Sequence, residues 1–261
     1  MDFDIAIPSY RRANKLREQT LAYLEKEKVN PERITVFVAD EEEKRKYQDI
    51  LKPGSYGRIV TGVITLAAQR NFIGRYYAEG TQLLQMDDDI KRVKFLTPRP
   101  FIQLISLLFK SCKENGAKLF SIYPVNNLFY CKERIIVGKV FCVGCIFGTI
   151  NTPQRVLPAV SACEDKWRSL DYWKEDGQTL RYEGACPDTT YFAKGGLTEY
   201  RKLNQLLDTQ ITCDNFKNDC TLKLKKSGVW ECHWRNKITK ILSLPPVECN
   251  DSTQNAINSV N

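Results

Sequence analysis

The chain has 261 residues, of which 43% are hydrophobic and 27% charged, and a formal net charge of +8. These are the proportions of a globular protein long enough to bury a sizeable core, as one large domain or two small ones, and not those of a fibrous or disordered chain. No apolar run reaches the ~18–20 residues that cross a bilayer, and the excess of Lys and Arg favours polyanionic partners such as nucleic acid or a phosphorylated substrate. The first stretch, "FDIAIPS", reads as a short apolar strand rather than a basic segment followed by an apolar one. The expectation is therefore a cytoplasmic or nuclear protein that is not secreted. "RANKLREQTLAYLEKEK" follows as a helix with Leu16, Tyr23 and Leu24 on one face. "RITVFVA" is a β-branched buried strand that ends at Asp40. "DEEEKRKYQDIL" is a charged helix closed by Pro53 and Gly54. "GRIVTGV" is the third strand, Thr65 caps the helix "LAAQRNFIGRYYAEG", and "TQLLQM" is a fourth strand running into Asp87, Asp88 and Asp89. Such alternation predicts an α/β fold with a mostly parallel sheet, helices on both faces and right-handed crossovers.

The second half reads as mixed. Residues 100–115 form a helix, 118–150 several short strands with turns at Asn126–Asn127 and Gly138, and 163–177 and 197–208 two more helices. No polar linker divides the chain. One domain over 1–245 is expected, with a strand–helix half over 1–95 and a mixed half over 96–245. Residues 246–261 are a polar tail without aromatic residues.

In an open α/β sheet, ligands bind outside the carboxyl ends of the strands. That rule selects Pro8–Arg12, Asp40, the start of the third helix and Asp87–Asp89. The first turn, "IPSYRRAN", has no glycine, and the chain has no phosphate-binding P-loop, so two common nucleotide-binding devices are excluded. Arg70 shares a helix arc with Leu66, Ile73 and Tyr77, between Gln69 and Asn71. A cation there must be paired, with a structural carboxylate or a ligand phosphate. The three aspartates are either a solvated turn or a site for a hard divalent cation. Mg2+ or Mn2+ binds one or two carboxylates plus substrate phosphates. In "CEDKWRSLDYWKEDG", Cys163, Trp167 and Leu170 make an apolar face, while Glu164 and Asp165 open the helix and point elsewhere. They either favour the helix N-terminus electrostatically or supply a general base.

Ten cysteines in a chain without a secretion signal read as reduced thiols. Cys142 and Cys145 form one CxxC pair, but a zinc ribbon needs a second, and none exists. Cys213, Cys220, Cys232 and His233 can be imagined as ligands of a structural zinc, but their spacing is irregular and disfavours it.

"IAIPSYRR", "VFVADEEEKRKY", "AAQRNFI", "LLQMDDDI", "CEDKWRSLDYWKEDG" and "AKGGL" occur in an order that resembles GT-A-fold glycosyltransferases. The nearest likeness is to the set containing viral and phage glycosyltransferases and the base J-type (TET/JBP-associated) DNA glucosyltransferases, over roughly residues 3–200. The resemblance implies a GT-A fold, with 1–95 as the nucleotide-sugar half and 96–245 as the acceptor half. It implies a hexosyl- or pentosyltransferase that uses Mn2+ or Mg2+ and a nucleotide-sugar donor, UDP-linked, with inversion. Pro8, Ser9, Tyr10 and Arg11 match the loop that cradles the nucleotide, and Asp40 the acidic residue that contacts base or ribose. Gln69, Arg70 and Asn71 match the "QRN" facing the diphosphate. Asp87 and Asp89 match the D-x-D, with Asp89 the leading metal ligand, and Asp88 lies between them in a supporting position. Asp165, with Glu164, matches the "ED" base, and Gly195 and Gly196 match a loop lining the pocket. His233, the one histidine, is a candidate to complete the metal site. The acceptor is a hydroxylated or hydroxymethylated pyrimidine in DNA, or a glycan or glycoprotein on which Trp167, Trp173, Tyr191 and Trp234 stack. A nucleotidyltransferase and a non-catalytic nucleic-acid-binding module are the competing readings. The first lacks its glycine-rich loop, and the second leaves the acidic motifs without a role.

Overall fold

The computed structural model describes residues 2–159, 162–189, 198–226 and 228–244. Strands β1 (Asp4–Pro8), β2 (Ile34–Val38), β3 (Arg58–Thr61) and β4 (Gln82–Met86) run parallel, in the order β3-β2-β1-β4. All five residues of β2 are buried, which requires cover on both faces of the sheet. The crossovers are helical, as the alternating pattern predicts. The first is α1 (Ala13–Leu16), a π-helical turn over Arg17–Leu21, and α2 (Ala22–Lys26). Next come α3 (Glu41–Ile50), capped by the Asp40 carboxylate, and α4 (Leu66–Tyr76), capped by Thr65.

The aspartate turn leads straight into β5 (Ile90–Phe95), which sequence reading missed because its exposed positions are basic. It pairs antiparallel with β10 (Ala185–Thr189) as a separate two-stranded sheet. Then follow α5 (Phe101–Glu114), β6 (Leu119–Ile122), β7 (Ile135–Gly138), β8 (Ile146–Ile150), α6 (Glu164–Asp176) and β9 (Thr179–Tyr182). A last strand, β13 (Thr239–Leu242), extends the edge beyond β7. Strand β8 runs antiparallel to β4, so one nine-stranded sheet carries strands from both halves of the chain. Its core includes Ile5, Ile7, Leu84, Phe109, Phe120 and Leu180.

A smaller apolar cluster lies between α6, α7 (Thr198–Asn215) and the hairpin of β11 (Cys220–Leu224) and β12 (Trp230–Trp234). That hairpin forms a sheet of its own. Helix α7 runs seven residues beyond the expected 197–208 segment. Gly195, Gly196, Tyr191 and the polar tail lie outside the described residues. No described helix is long and apolar enough to cross a membrane.

Candidate functional site

The three aspartates occupy the carboxyl end of β4, and each has a different environment. Asp88 is buried. The Ser9 hydroxyl donates to its Oδ2 at 2.6 Å, and Arg12 Nη1 to its Oδ1 at 3.2 Å. Burial pushes its carboxyl above the usual range, an effect eased by the Ser9 bond and the Arg12 charge. Asp89 accepts from Lys15 Nζ at 3.0 Å, from the Thr189 hydroxyl at 2.9 Å and from Arg12 at 3.5 Å. Asp87 is the one that meets solvent: 37% of its side chain is exposed, against 6% for Asp88 and 12% for Asp89.

The π-helical turn fixes this corner. It sets Thr20 where its hydroxyl donates to the Asp87 carbonyl at 2.8 Å and accepts from the Ile90 amide at 3.0 Å. A single hydroxyl thereby ties both ends of the aspartate turn, and π-helical bulges are frequent at functional sites. Ser9 also shares a hydrogen bond with the Tyr47 hydroxyl, which accepts from the Arg12 amide.

The resulting scaffold makes a pH prediction. A raised carboxyl pKa in the folded state contributes stability at low pH that is lost as pH rises through it. Asp88→Asn removes that loss. In urea titrations across pH, the stability difference should move in favour of the variant as pH climbs above the ordinary carboxylate range near ~4. A difference that is flat with pH would mean Asp88 is not strained when ionised.

Arg70 carries the centre of the site. Its guanidinium is buried and donates to Gln85 Oε1 at 3.0 Å and to Asp87 Oδ1 at 3.1 Å. Its Nε stands 3.8 Å from Glu164 Oε1, at the start of α6. The pairing that the helix arc demanded is thus met by carboxylates. Phe147, opposite Gln85 in the β4–β8 register, lies against two cations: Arg70 at 4.7 Å and Arg168 at 3.5 Å from the ring centre.

Arg168, one turn along α6 from Glu164, was not singled out by sequence. Its guanidinium is buried, and among the described residues none of its three nitrogens has a hydrogen-bond partner. Burial and the neighbouring Arg70 pull its pKa down to about 10. It lines a cavity together with Arg70, Gln85, Thr149, Asp171 and Tyr172. A buried, unsatisfied cation is costly and requires an explanation. The sequence signal was available: Arg168 follows Glu164 by four residues and so shares its face. The helix is buried on two sides, one toward Phe147 and one toward Trp167 and Leu170, and only the second was read from its apolar residues.

The other predicted residues divide. Gln69 is a brace: its Oε1 accepts from the Val63 amide at 2.7 Å, and its Nε2 donates to the Val38 carbonyl at 3.2 Å. Gly62 makes room for it, since a Cβ there would stand 2.2 Å from Gln69 Oε1. Asn71 clamps the Leu157 amide and carbonyl, both at 2.8 Å. Both amides expected to face a diphosphate are thus bonded to main chain. Pro8 ends β1 in the core, while Tyr10 and Arg11 form an exposed rim with the guanidinium 4.8 Å from the ring. Asp40 caps α3 by accepting from the Glu43 amide at 2.8 Å. Asp165 is more accessible than buried Glu164 and accepts from the Lys166 amide.

His233 lies on β12, in the separate β11–β12 hairpin. Its Nε2 stands 3.7 Å from Glu231, and burial pulls its pKa down. Among the described residues, Asp87, Asp89 and His233 do not bring three donor atoms within 4.8 Å of one another. Of the three aspartates, Asp87 is the most exposed oxygen donor, the kind of carboxylate a hard divalent cation takes. Such a set fits an ion that arrives with substrate phosphates rather than one held in a closed protein cage. Trp167, Trp173 and Trp234 pack on Phe216, on each other and on Phe141, which accounts for them without a sugar.

No family profile and no curated protein matches this chain. Solved structures do. Mannosyl-3-phosphoglycerate synthase from Rubrobacter xylanophilus is similar with a TM-score of 0.51 and 8% identity, over 92% of this chain and 87% of that one. The fold is GT-A. TarS 1–349 of S. aureus gives a TM-score of 0.48 at 14% identity, over 72% of this chain. This chain spans 59% of the length of that structure. Galactosyltransferase LgtC gives 0.34 at 14% identity, over 67% of this chain and 65% of that one. At such identities the likeness concerns the fold alone. In a GT-A sheet of this order, the Ser9–Arg12 turn, Asp40 and the aspartate turn share the carboxyl edge of β1, β2 and β4.

Proposed function

We propose that the chain is a metal-dependent, inverting glycosyltransferase that moves a sugar from a nucleotide sugar, UDP-linked, to an acceptor hydroxyl. The observation that carries the reading is the buried Arg70 joining Asp87 to Glu164, with Arg168, which has no hydrogen-bond partner among the described residues, behind it. Two buried cations with little water around them suit the leaving diphosphate, on which negative charge builds as the glycosidic bond breaks. A bound Mn2+ or Mg2+ supplies Lewis-acid neutralisation of the same phosphates, with Asp87 as its protein ligand. Asp165 takes the proton from the acceptor hydroxyl as general base. Asp89 and Asp88 hold Lys15 and Arg12 at the nucleotide edge, and the exposed Tyr10–Arg11 rim and Asp40 suit the nucleoside. Incubation with Mn2+ and a panel of nucleotide sugars, following nucleoside diphosphate release, tests this. One donor should be turned over only when the metal is present. No release with any donor, together with no Mn2+-dependent nucleotide binding, would sink the proposal.

For the acceptor, the exposed Lys217, Lys223, Lys225, Lys226 and Lys237 favour a polyanion. A hydroxymethylated pyrimidine in DNA, flipped out of its stack, fits that charge better than a neutral glycan. Affinity for such DNA should fall steeply with salt. A flat response assigns the acceptor to a glycan.

A further inference from the structure

Three thiols distant in sequence meet in the small cluster behind α6. Cys213 lies near the end of α7, Cys220 opens β11 and Cys232 is central in β12. All three are buried, and their sulfurs lie within 4.8 Å of one another. Among the described residues no other His, Cys, Asp or Glu side chains form such a group. The hairpin register explains the meeting. Cys220 opposes Trp234 and Leu222 opposes Cys232, so the two cysteines are diagonal neighbours on one face. Helix α7 brings Cys213 over that face. His233, adjacent to Cys232, points to the other.

We propose that Cys213, Cys220 and Cys232 bind a structural zinc ion that clips the β11–β12 hairpin to the end of α7. Zinc holds thiolates at ~2.3 Å in a tetrahedron, which sets its sulfurs ~3.8 Å apart, within the observed spread. Soft sulfur donors select zinc over the hard cations suited to Asp87. Binding releases three thiol protons and leaves the centre with one net negative charge. Cations stand ready to offset it: Arg235 Nε donates to the Cys220 carbonyl at 2.9 Å, and Lys166 Nζ to the Cys232 carbonyl at 3.4 Å. The fourth position goes to water.

The hairpin needs such a clip. It adds no strand to the main sheet, and a lone two-stranded hairpin is marginal in water. The cluster beneath it has five buried residues, three of them these cysteines. Trp167 and Leu170 of α6 pack on the same cluster, so the clip steadies the helix that carries Glu164, Asp165 and Arg168.

The test uses the full chain purified under reducing conditions without added metal. Plasma mass spectrometry should find about one zinc per chain. A strong chelator should remove it and lower the melting temperature. Cobalt exchange should give a thiolate-to-metal charge-transfer band. Cys220→Ser and Cys232→Ser should lose the metal, while Cys131→Ser, from another part of the core, should retain it. If the serine variants fail to fold, the wild-type zinc content and cobalt spectrum decide alone. Reduced protein with neither zinc nor a cobalt band overturns the proposal. So does iron in place of zinc, or a disulfide between two of the three cysteines in protein isolated with its thiols blocked.

Discussion

Arg70→Ala is expected to cost about 3–5 kcal/mol of folding stability and to abolish donor binding. The side chain is 4% exposed and serves Gln85, Asp87 and Glu164 at once. Its removal strands the Glu164 carboxylate, itself 7% exposed, and opens a void against Phe147. Arg168 limits the damage, because its own charge already bears on Glu164 and it is relieved of a like-charged neighbour. The loss should therefore sit at the low end of the range. Arg70→Lys keeps the charge but not the planar fork or the ring stacking. It should fold with a smaller penalty and bind donor weakly. Urea denaturation and nucleotide titration of both variants read the two effects separately. If Arg70→Ala is as stable as wild type, the ion-pair network is not what holds α4 to α6.

Asp165→Asn is expected to leave donor binding intact and to lower transfer by about 10²–10⁴-fold, the usual worth of a general base. The change is isosteric, and the Lys166 amide keeps an acceptor in the amide oxygen. Glu164→Gln should behave differently. Glu164 is buried against Arg70, so its loss weakens the fold and the donor site together. Normal transfer by Asp165→Asn would remove it as the base and make Glu164 next in line.

The first four strands were legible because each is a short apolar run, and helices follow three of them, two with a recognisable cap. Arg70 was legible for a related reason: a cation within an apolar helix arc must find a partner. Which partner was not legible, since Asp87 and Glu164 lie 17 and 94 residues away and meet it only in the folded sheet. Gln69 and Asn71 looked equally suited to a ligand, but an amide in sequence carries no sign of the main-chain groups that will engage it. Asp88, read as a supporting residue, is the buried anchor of the turn, its carboxylate held by Ser9 and Arg12. The three cysteines were noticed in sequence but set aside for irregular spacing, because strand register, not sequence distance, sets where their sulfurs lie.

The central claim is that the carboxyl edge of β4 binds a nucleoside diphosphate through a divalent cation at Asp87. Calorimetric titration of UDP into wild type and Asp87→Asn, each with and without Mn2+, tests it most directly. The account predicts tight, Mn2+-dependent binding to wild type that is lost in Asp87→Asn. Equal binding by both proteins, or binding to wild type that ignores the metal, would contradict it.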